Sequence, residues 1–300
     1  MVERNMAMTV STSTNTAPTA RASTSEATIS LSAKARARRR YALVVTLRIA
    51  LLVVFLAGWE ISTRLGWIDP FFFAQPSGIA VQIWTWIQEG TSQGPLWEQI
   101  WVTLEETMLG FAIGAVTGVL AGVLLGRNKL LADIFSIYIK VANSVPRVVL
   151  GSVFIIALGL GMASKVALAV VMVFFVVFAN AFQGVREADR AMIANAQILG
   201  ASPWQITRHV VLPSAMSWIL ASLHVSFGFA LVGAVVGEFL GAKKGMGLLI
   251  STAQGAFNAN GVFAAMIILA VLALVVEFII TRVENHLVKW RPQALSDQHA

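Results

Sequence analysis

The chain has 300 residues, of which 57% are hydrophobic and only 12% are charged, and its mean hydropathy is +0.75. An ordinary soluble domain carries about 25% charged residues. This composition therefore excludes an ordinary soluble domain and predicts an all-α polytopic membrane protein. The net charge of +7 comes from basic residues beside apolar runs, which favours the positive-inside rule over nucleic-acid binding as its cause. The absence of cysteine excludes disulfides and thiolate metal sites.

The N-terminal part divides into an arm, a first span and an interfacial segment. Residues 1–40 are rich in Ser, Thr and Ala and end in a basic cluster, which predicts a disordered cytoplasmic arm. The apolar run 41–63 is long enough to cross the ~30 Å hydrocarbon core. The tryptophan-rich remainder of 41–103 is typical of the outer membrane interface.

A permease-like core is predicted over 104–284, with a cytoplasmic tail at 285–300. Its first span, 104–126, carries a glycine at every fourth position, which places all of them on one helix face. Such a face lets another helix approach closely, either inside the subunit or at a dimer contact or transport pathway. These glycines are Gly110, Gly114, Gly118, Gly122 and Gly126. The span 217–241 has the same four-residue spacing at Gly233 and Gly237.

Two spans follow before the longest polar interruption in the second half of the chain. Pro146 predicts a break before the third span, 148–160, which is short in the way of helices that line a cavity. The fourth span is predicted at 166–182, and the last two at 217–241 and 262–283. The total is about six transmembrane helices, with both termini in the cytoplasm by the distribution of basic residues.

The polar interruption, within a loop over 184–216, is predicted to fold into two short helices. The first covers about 187–199 and stops at Gly200, a residue that tolerates the left-handed conformation past a helix end. The second is predicted to carry Trp204, Thr207 and Val211 on one side and to end near Pro213. Its start combines a capping box with a proline at the first helical position, formed by Ser202, Pro203 and Gln205. A loop with such defined ends favours a docking element over a structured loop without a partner.

Two of the carboxylates inside predicted spans are candidates for a specific role. Glu238 lies near the outer end of its span, where we favour a carboxylate bonded to nearby donors over the alternative of an outer gate. Glu277 lies in the last span, and its pairing with Arg48 is one hypothesis.

The loop resembles the EAA loop of permease subunits of ATP-binding-cassette (ABC) importers. In that pattern a glycine is followed by nine residues and then Ile-x-Leu-Pro; here Gly200 is followed by nine residues and Val210-Val211-Leu212-Pro213. The Glu-Ala-Ala portion falls on Ala194-Asn195-Ala196, so its glutamate is missing. Three further stretches resemble the nitrate, sulfonate and taurine branch: Gln75-Pro76-Ser77, Leu158–Gly161, and Glu238 before Gly245-x-Gly247.

The resemblance implies the type I ABC importer permease fold in a bacterial inner membrane, as a homodimer around a pathway. It implies two cytoplasmic ABC ATPase subunits and an extracytoplasmic solute-binding protein as partners, and a small anion such as nitrate, a sulfonate or taurine as solute. The implied ATPase-coupling residues are Ala196, Gly200, Ala201, Ser202, Pro203, Trp204, Leu212 and Pro213.

The sequence shows no motif for chemistry of its own. It holds no P-loop, no His-Glu-x-x-His pair and no nucleophile elbow, so we expect no catalytic residue, metal or cofactor, and ATP hydrolysis in a separate subunit. A self-sufficient secondary transporter or a membrane scaffold without transport are the alternatives.

Overall fold

The computed structural model describes residues 19–287, and most of this range is helical. The helices are α1 (Thr19–Arg64), α2 (Pro70–Phe73), α3 (Pro76–Gln88), α4 (Leu96–Arg127), α5 (Lys129–Ser144), α6 (Leu150–Leu158), α7 (Met162–Arg186), α8 (Arg190–Ile198), α9 (Pro203–Ile206), α10 (Leu212–Leu240), α11 (Met246–Gly255) and α12 (Ala259–Leu287). A 3₁₀ turn precedes α6 at Arg147–Val149, and a π-helical turn joins α9 to α10 at Thr207–Val211.

The expected all-α membrane fold with about six spans is confirmed over this part of the chain. Five stretches are long and apolar enough to cross a membrane, namely Arg38–Arg64, Leu96–Arg127, Met162–Arg186, Pro203–Leu240 and Ala259–Arg282. A sixth forms if Lys129–Ala142 and Arg147–Leu158, which are bent by 74° at their break, count as one span.

The third span therefore differs from the interval 148–160 predicted from sequence. The helix α6 after the break has only nine residues, which is too short to cross ~30 Å of hydrocarbon alone. Together with α5 before the break, it reaches the length and hydropathy that one crossing needs. Pro146 causes the break because it lacks an N–H and disfavours the α conformation in the residue before it.

The first helix begins at Thr19, within the stretch 1–40 that the sequence predicts as a disordered arm. Its Ala, Lys and Arg residues are good helix formers, and a span that is already helical extends at little cost. Residues 1–18 of the expected arm, and 288–300 of the expected tail, lie outside the described residues. The chain divides into two compact units, residues 1–62 and residues 63–300.

The core of the larger unit is built from α4, α7 and α10, whose backbones approach closely. The glycine face of α4 lies against α7: a Cβ at Gly114 would sit 2.8 Å from the Val170 carbonyl oxygen, and one at Gly118 would sit 2.9 Å from that of Phe174. Only glycine allows this separation, and in lipid such packing replaces a hydrophobic driving force. The α4 ladder therefore faces inward, within the subunit.

Ala169 of α7 marks the point where the three helices meet. Gly110 of α4 lies against it on one side, and a Cβ at Gly233 of α10 would be 2.7 Å from its Cα on the other. One turn later along α10, Gly237 lies against the side-chain stem of Lys165. The small residues predicted on two separate spans thus converge on the same helix.

Candidate functional site

The segment between α7 and α10, residues 187–211, is called the interspan segment here. Its first helix, α8, has Asp189 as N-cap and ends at Leu199. The left-handed turn predicted at Gly200 is confirmed, with φ of +79°. The N–H of Ala201 donates to the Ala196 carbonyl at 3.0 Å, which closes the helix end in a Schellman arrangement.

The predicted capping box of the second helix is also confirmed. The Ser202 N–H donates to Gln205 Oε1 at 2.7 Å, and the Gln205 N–H donates to Ser202 Oγ at 3.3 Å. Arg127, the last residue of α4, donates from Nη2 to the Pro203 carbonyl at 3.2 Å. Both ends of the turn between α8 and α9 are therefore fixed by hydrogen bonds, although the segment lies at the surface.

One face of the interspan segment is packed into the helical core. Ala188, Ile206 and Val211 are buried there. They contact apolar residues of the adjoining spans, which are Ala181, Val185, Ala215 and Ile219. This apolar cluster seats the segment on α7 and α10, so it does not behave as a loose loop.

The opposite face exposes large apolar side chains. Ile198 is 83% exposed, Leu199 86% and Trp204 66%, and Met192 is exposed beside them. A capped, seated segment that holds apolar residues outward is typical of a protein-interaction surface. The set Met192, Ile198, Leu199 and Trp204 is called the docking face below.

The sequence predicted Trp204 on the same side as Thr207 and Val211, and this is wrong. Thr207 and Val211 are buried, whereas Trp204 points outward. The buried position is taken by Ile206, which lies two residues after Trp204 and hence about 200° around the helix. The three predicted residues therefore lie on two different faces: Thr207 and Val211 on the buried face, and Trp204 on the exposed one.

The prediction that the second helix ends near Pro213 is also wrong. The helix continues through the π-helical turn into α10, and Pro213 occupies its first turn. A proline in an α-helix clashes with the carbonyl four residues earlier, and the wider π turn relieves such a conflict. As a result, residues Pro203–Leu240 form one continuous helical rod from the docking face across the membrane.

The predicted coupling residues fall into two groups. The exposed ones are Gly200, Ser202, Pro203, Trp204 and Pro213, and the partly buried ones are Ala196, Ala201 and Leu212. Sequence reasoning missed Met192, Ile198 and Leu199. The signal for the last two was present, because Ile198-Leu199 is an apolar pair directly before the helix-ending Gly200.

At the other end of the α10 rod, Glu238 is completely buried. Its Oε1 accepts a hydrogen bond from Thr103 Oγ1 at 2.7 Å, and its Oε2 accepts one from the Gly247 N–H at 2.7 Å. Both oxygens have donors, which matches the expectation of a carboxylate held by its neighbours. The role of an outer gate stays a prediction.

The start of α11 is held by side chains from other helices. The Gly245 N–H donates to Gln99 Oε1 at 2.8 Å, and the Met246 N–H donates to Thr103 Oγ1 at 2.9 Å. With the bond from Gly247 to Glu238, three successive N–H groups at this helix start are satisfied by α4 and α10.

The Gly245-x-Gly247 motif has a steric cause. Gly245 has φ of +118°, and a Cβ there would overlap the Glu238 carboxyl group. A Cβ at Gly247 would lie 2.7 Å from the Cβ of Glu238. Both positions must lack a side chain for the loop to close over the carboxylate.

Two further ionisable side chains are buried beside Glu238. Lys165 donates from Nζ to the carbonyls of Leu160 at 2.7 Å and Gly161 at 3.1 Å. Glu106 interacts electrostatically with both Glu238 and Lys165. Glu106, Lys165, Glu238, Gln99 and Thr103 are together called the Glu238 cluster. The sequence carries a signal for Gln99 and Thr103, because with Thr107 they are spaced four residues apart directly before the glycine face.

Glu277 of α12 has a partner that the sequence does not identify. Its Oε1 lies 3.4 Å from Nε2 of His224 in α10, and both side chains are partly exposed within this chain. This contact links the two last spans.

Comparison with known proteins identifies the family of the chain. Residues 114–289 match the family described as "Binding-protein-dependent transport system inner membrane component". The riboflavin transport system permease protein RibX of Chloroflexus aurantiacus is 31% identical over 83% of this chain and 90% of its own length. The putative aliphatic sulfonates permease SsuC of Bacillus subtilis is 29% identical over 79% and 85%. The taurine permease TauC of Escherichia coli is 27% identical over 82% and 90%.

The fold has relatives among solved structures. An inward-facing structure of the MetNI methionine ABC transporter matches with a TM-score of 0.56 and 21% identity, over 63% of this chain and 95% of that one. The family match covers more than half of the chain, and the predicted EAA-loop resemblance lies inside it. The chain therefore belongs to the binding-protein-dependent inner membrane components, as the multi-pass permease subunit of an ABC importer for a small solute.

Proposed function

We propose that two copies of this chain form the membrane pathway and that the docking face of each copy binds one ABC ATPase subunit. The observation that carries this is the outward orientation of Ile198, Leu199 and Trp204 on a segment whose other face is buried. Because hydrogen-bonded caps already fix the segment, little conformational entropy is lost when a partner covers it. The site is suited to a groove that accepts a short helix end.

Charge supports a cytoplasmic position for the interspan segment. Arg127 ends α4, Arg186 ends α7, and Arg190 and Arg208 lie within the segment. Basic residues at span ends favour the cytoplasmic side. With six crossings, both termini then lie in the cytoplasm and the Glu238 cluster lies at the outer end.

The continuous rod provides a mechanism for coupling. When ATP closes the ATPase pair, a force on the docking face acts on the start of Pro203–Leu240. Since α10 packs along α7 through Gly233 and Gly237, its displacement moves the spans as a unit between inward-open and outward-open forms.

A small anion is the solute class that we propose. SsuC and TauC, whose names specify sulfonates and taurine, are relatives over most of this chain. Arg147 supports the same class: it lies at the bend between α5 and α6, is partly buried, and has its guanidinium carbon 5.0 Å from the centre of the Phe175 ring. A cation within a membrane span is costly unless it is paired or faces a water-filled pathway.

Native mass spectrometry of the gently purified complex tests the assembly. We expect two copies of this chain with two copies of a P-loop ATPase. The double variant Ile198→Ser/Leu199→Ser should remain a dimer but lose the ATPase, whereas Met108→Ser/Leu109→Ser, which changes exposed residues of α4, should retain it. Retention of the ATPase by the first variant would exclude the docking face as the ATPase-binding site.

ATPase stimulation in reconstituted vesicles tests the solute. With the cognate binding protein, taurine or an alkanesulfonate should raise the hydrolysis rate, and riboflavin should not. The variant Arg147→Gln should reduce this stimulation while Lys140→Gln, on the preceding half-helix, leaves it unchanged. Stimulation by riboflavin alone would overturn the anion assignment.

A further inference from the structure

Four basic residues converge on one cavity where α4 and α7 end. The cavity has a volume of about 210 Å³ and is lined by Arg127, Lys129, Arg186 and Arg190 among small and apolar side chains. Arg127 and Arg186 are the last residues of two adjacent membrane-spanning helices, so their side chains lie at the same membrane boundary. The positive-inside rule explains basic residues at this boundary, but it does not require that they share a cavity.

The electrostatics of this cavity favour an anion. None of the described residues that line it is acidic. Three acidic residues adjoin lining residues in sequence. Asp133 is exposed, Glu187 accepts from Gln183 at 2.8 Å, and Asp189 caps α8 through the Ala191 N–H at 2.7 Å. Four cations around a space of this size fit the oxygens of a phosphate group.

We propose that this cavity binds the phosphate of an anionic phospholipid headgroup from the inner leaflet. The membrane position favours this source, because the cavity opens where two spans leave the hydrocarbon and basic pockets between spans bind such headgroups. The Arg186 guanidinium carbon, 5.5 Å from the centre of the Phe182 ring, lies where apolar and polar regions meet. The inference rests on the cytoplasmic orientation given under the proposed function.

The site is linked to the docking face through Arg127. Its Nη2 donates to the Pro203 carbonyl, at the first position of α9. A second cavity of about 250 Å³ shares Arg127 and Ile193 with the basic one and is also lined by Pro203 and Ile206. A bound headgroup would therefore fix the Arg127 side chain and, with it, the start of the helical rod.

The test is native mass spectrometry of the full-length protein titrated with phosphatidylglycerol or phosphatidylcholine in mixed detergent micelles. The wild type should retain phosphatidylglycerol in preference to phosphatidylcholine. Arg186→Gln/Arg190→Gln should weaken phosphatidylglycerol binding about thirtyfold, since each cation near an anionic surface contributes a factor of about five. The matched control Lys140→Gln/Arg208→Gln removes two exposed charges outside the cavity and should bind as the wild type does.

Three outcomes would overturn the proposal. One is equal binding by both double variants, and a second is a wild type without preference for the anionic lipid, a result that needs no variant to fold. A third is displacement of the lipid by millimolar inorganic phosphate, which would assign the cavity to soluble phosphates. If the Arg186 and Arg190 changes release the ATPase but not the lipid, these cations serve an acidic protein surface instead. A wild type that purifies without an ATPase but still prefers the anionic lipid would contradict only the proposed function.

Discussion

The two ends of the α10 rod differ in how completely their side chains are covered and hydrogen-bonded by the rest of the described chain. At the Glu238 end, the Glu238 carboxylate, the Lys165 ammonium and the start of α11 all have hydrogen-bond partners within the subunit, and Glu106 Oε2 is buried without one. At the interspan end, backbone groups are satisfied by caps, but the docking face leaves Ile198, Leu199 and Trp204 in solvent. The first end is bonded within the subunit, whereas the second has an apolar surface that none of the described residues covers.

Because of this difference, substitutions at the two ends of one helix should affect different properties: the stability of the fold at one end and partner binding at the other. A change at the Glu238 cluster breaks bonds inside the subunit, so it should lower the free energy of unfolding. A change on the docking face removes no internal contact of comparable value, so it should alter partner binding alone. The predictions below test that separation.

The largest expected effect is from Glu238→Ala. The substitution leaves the Gly247 N–H without its acceptor and Lys165 without one of its two carboxylate neighbours. Removing one partner of a buried charged network costs about 3–5 kcal/mol. Thermal unfolding in detergent, followed by tryptophan fluorescence, should show a Tm lowered by roughly 6–12 °C.

The matched control for this change is Glu105→Ala, on the exposed side of α4 next to the buried Glu106. Its Tm should stay within about 2 °C of the wild type, because exposed substitutions usually change stability by less than 0.5 kcal/mol. A Glu238→Ala protein as stable as the Glu105→Ala protein would show that the cluster does not hold this end together.

A smaller loss is expected from Gly247→Ala. The new methyl group would meet the Glu238 side chain and the Val235 carbonyl, so the loop must shift away from the carboxylate. Overpacking of this kind costs about 1–3 kcal/mol. Gly228→Ala in α10 is the control, since a Cβ at that position meets nothing within 4 Å. A Tm that falls equally in both variants would mean that helix position, and not contact with Glu238, decides the effect.

At the interspan end, Ser202→Ala should act locally. Loss of the capping box costs about 1 kcal/mol of α9 stability, and the buried residues beneath the segment retain their packing. Hydrogen exchange should accelerate about fivefold at residues 204–206, while the global Tm changes little. Ser214→Ala, which removes only a bond to the Val210 carbonyl at 2.7 Å, should leave exchange in α9 unchanged.

The sequence predicted features that depend on local chemistry. The turn at Gly200, the capping box at Ser202 and the close packing of the α4 glycines each follow from a few neighbouring residues. The same reasoning overestimated Pro213 as a helix end, because the π turn that accommodates it has no sequence signature.

What the sequence left open depends on contacts between distant residues. The bonds of Thr103 and Gln99 to the start of α11 join positions more than 140 residues apart, so no local pattern predicts them. The outward direction of Trp204 was also missed, because it depends on which face of α9 meets Ala215 and Ile219 of α10. The spacing of Trp204, Thr207 and Val211 does not by itself identify that neighbour.

The smallest expected effect compares two interactions at the Glu238 end of α10. Lys244 donates to Glu98 Oε1 at 2.5 Å, but both side chains are partly exposed, at 48% and 32%. An exposed ion pair contributes about 0–1 kcal/mol, so Lys244→Gln should lower the Tm by at most about 2–4 °C, and less at high salt. Lys243→Gln is the control, with the same loss of charge one residue earlier. A Lys244→Gln protein that loses as much stability as Glu238→Ala would show that the surface pair, and not the buried carboxylate, holds the start of α11 against α4.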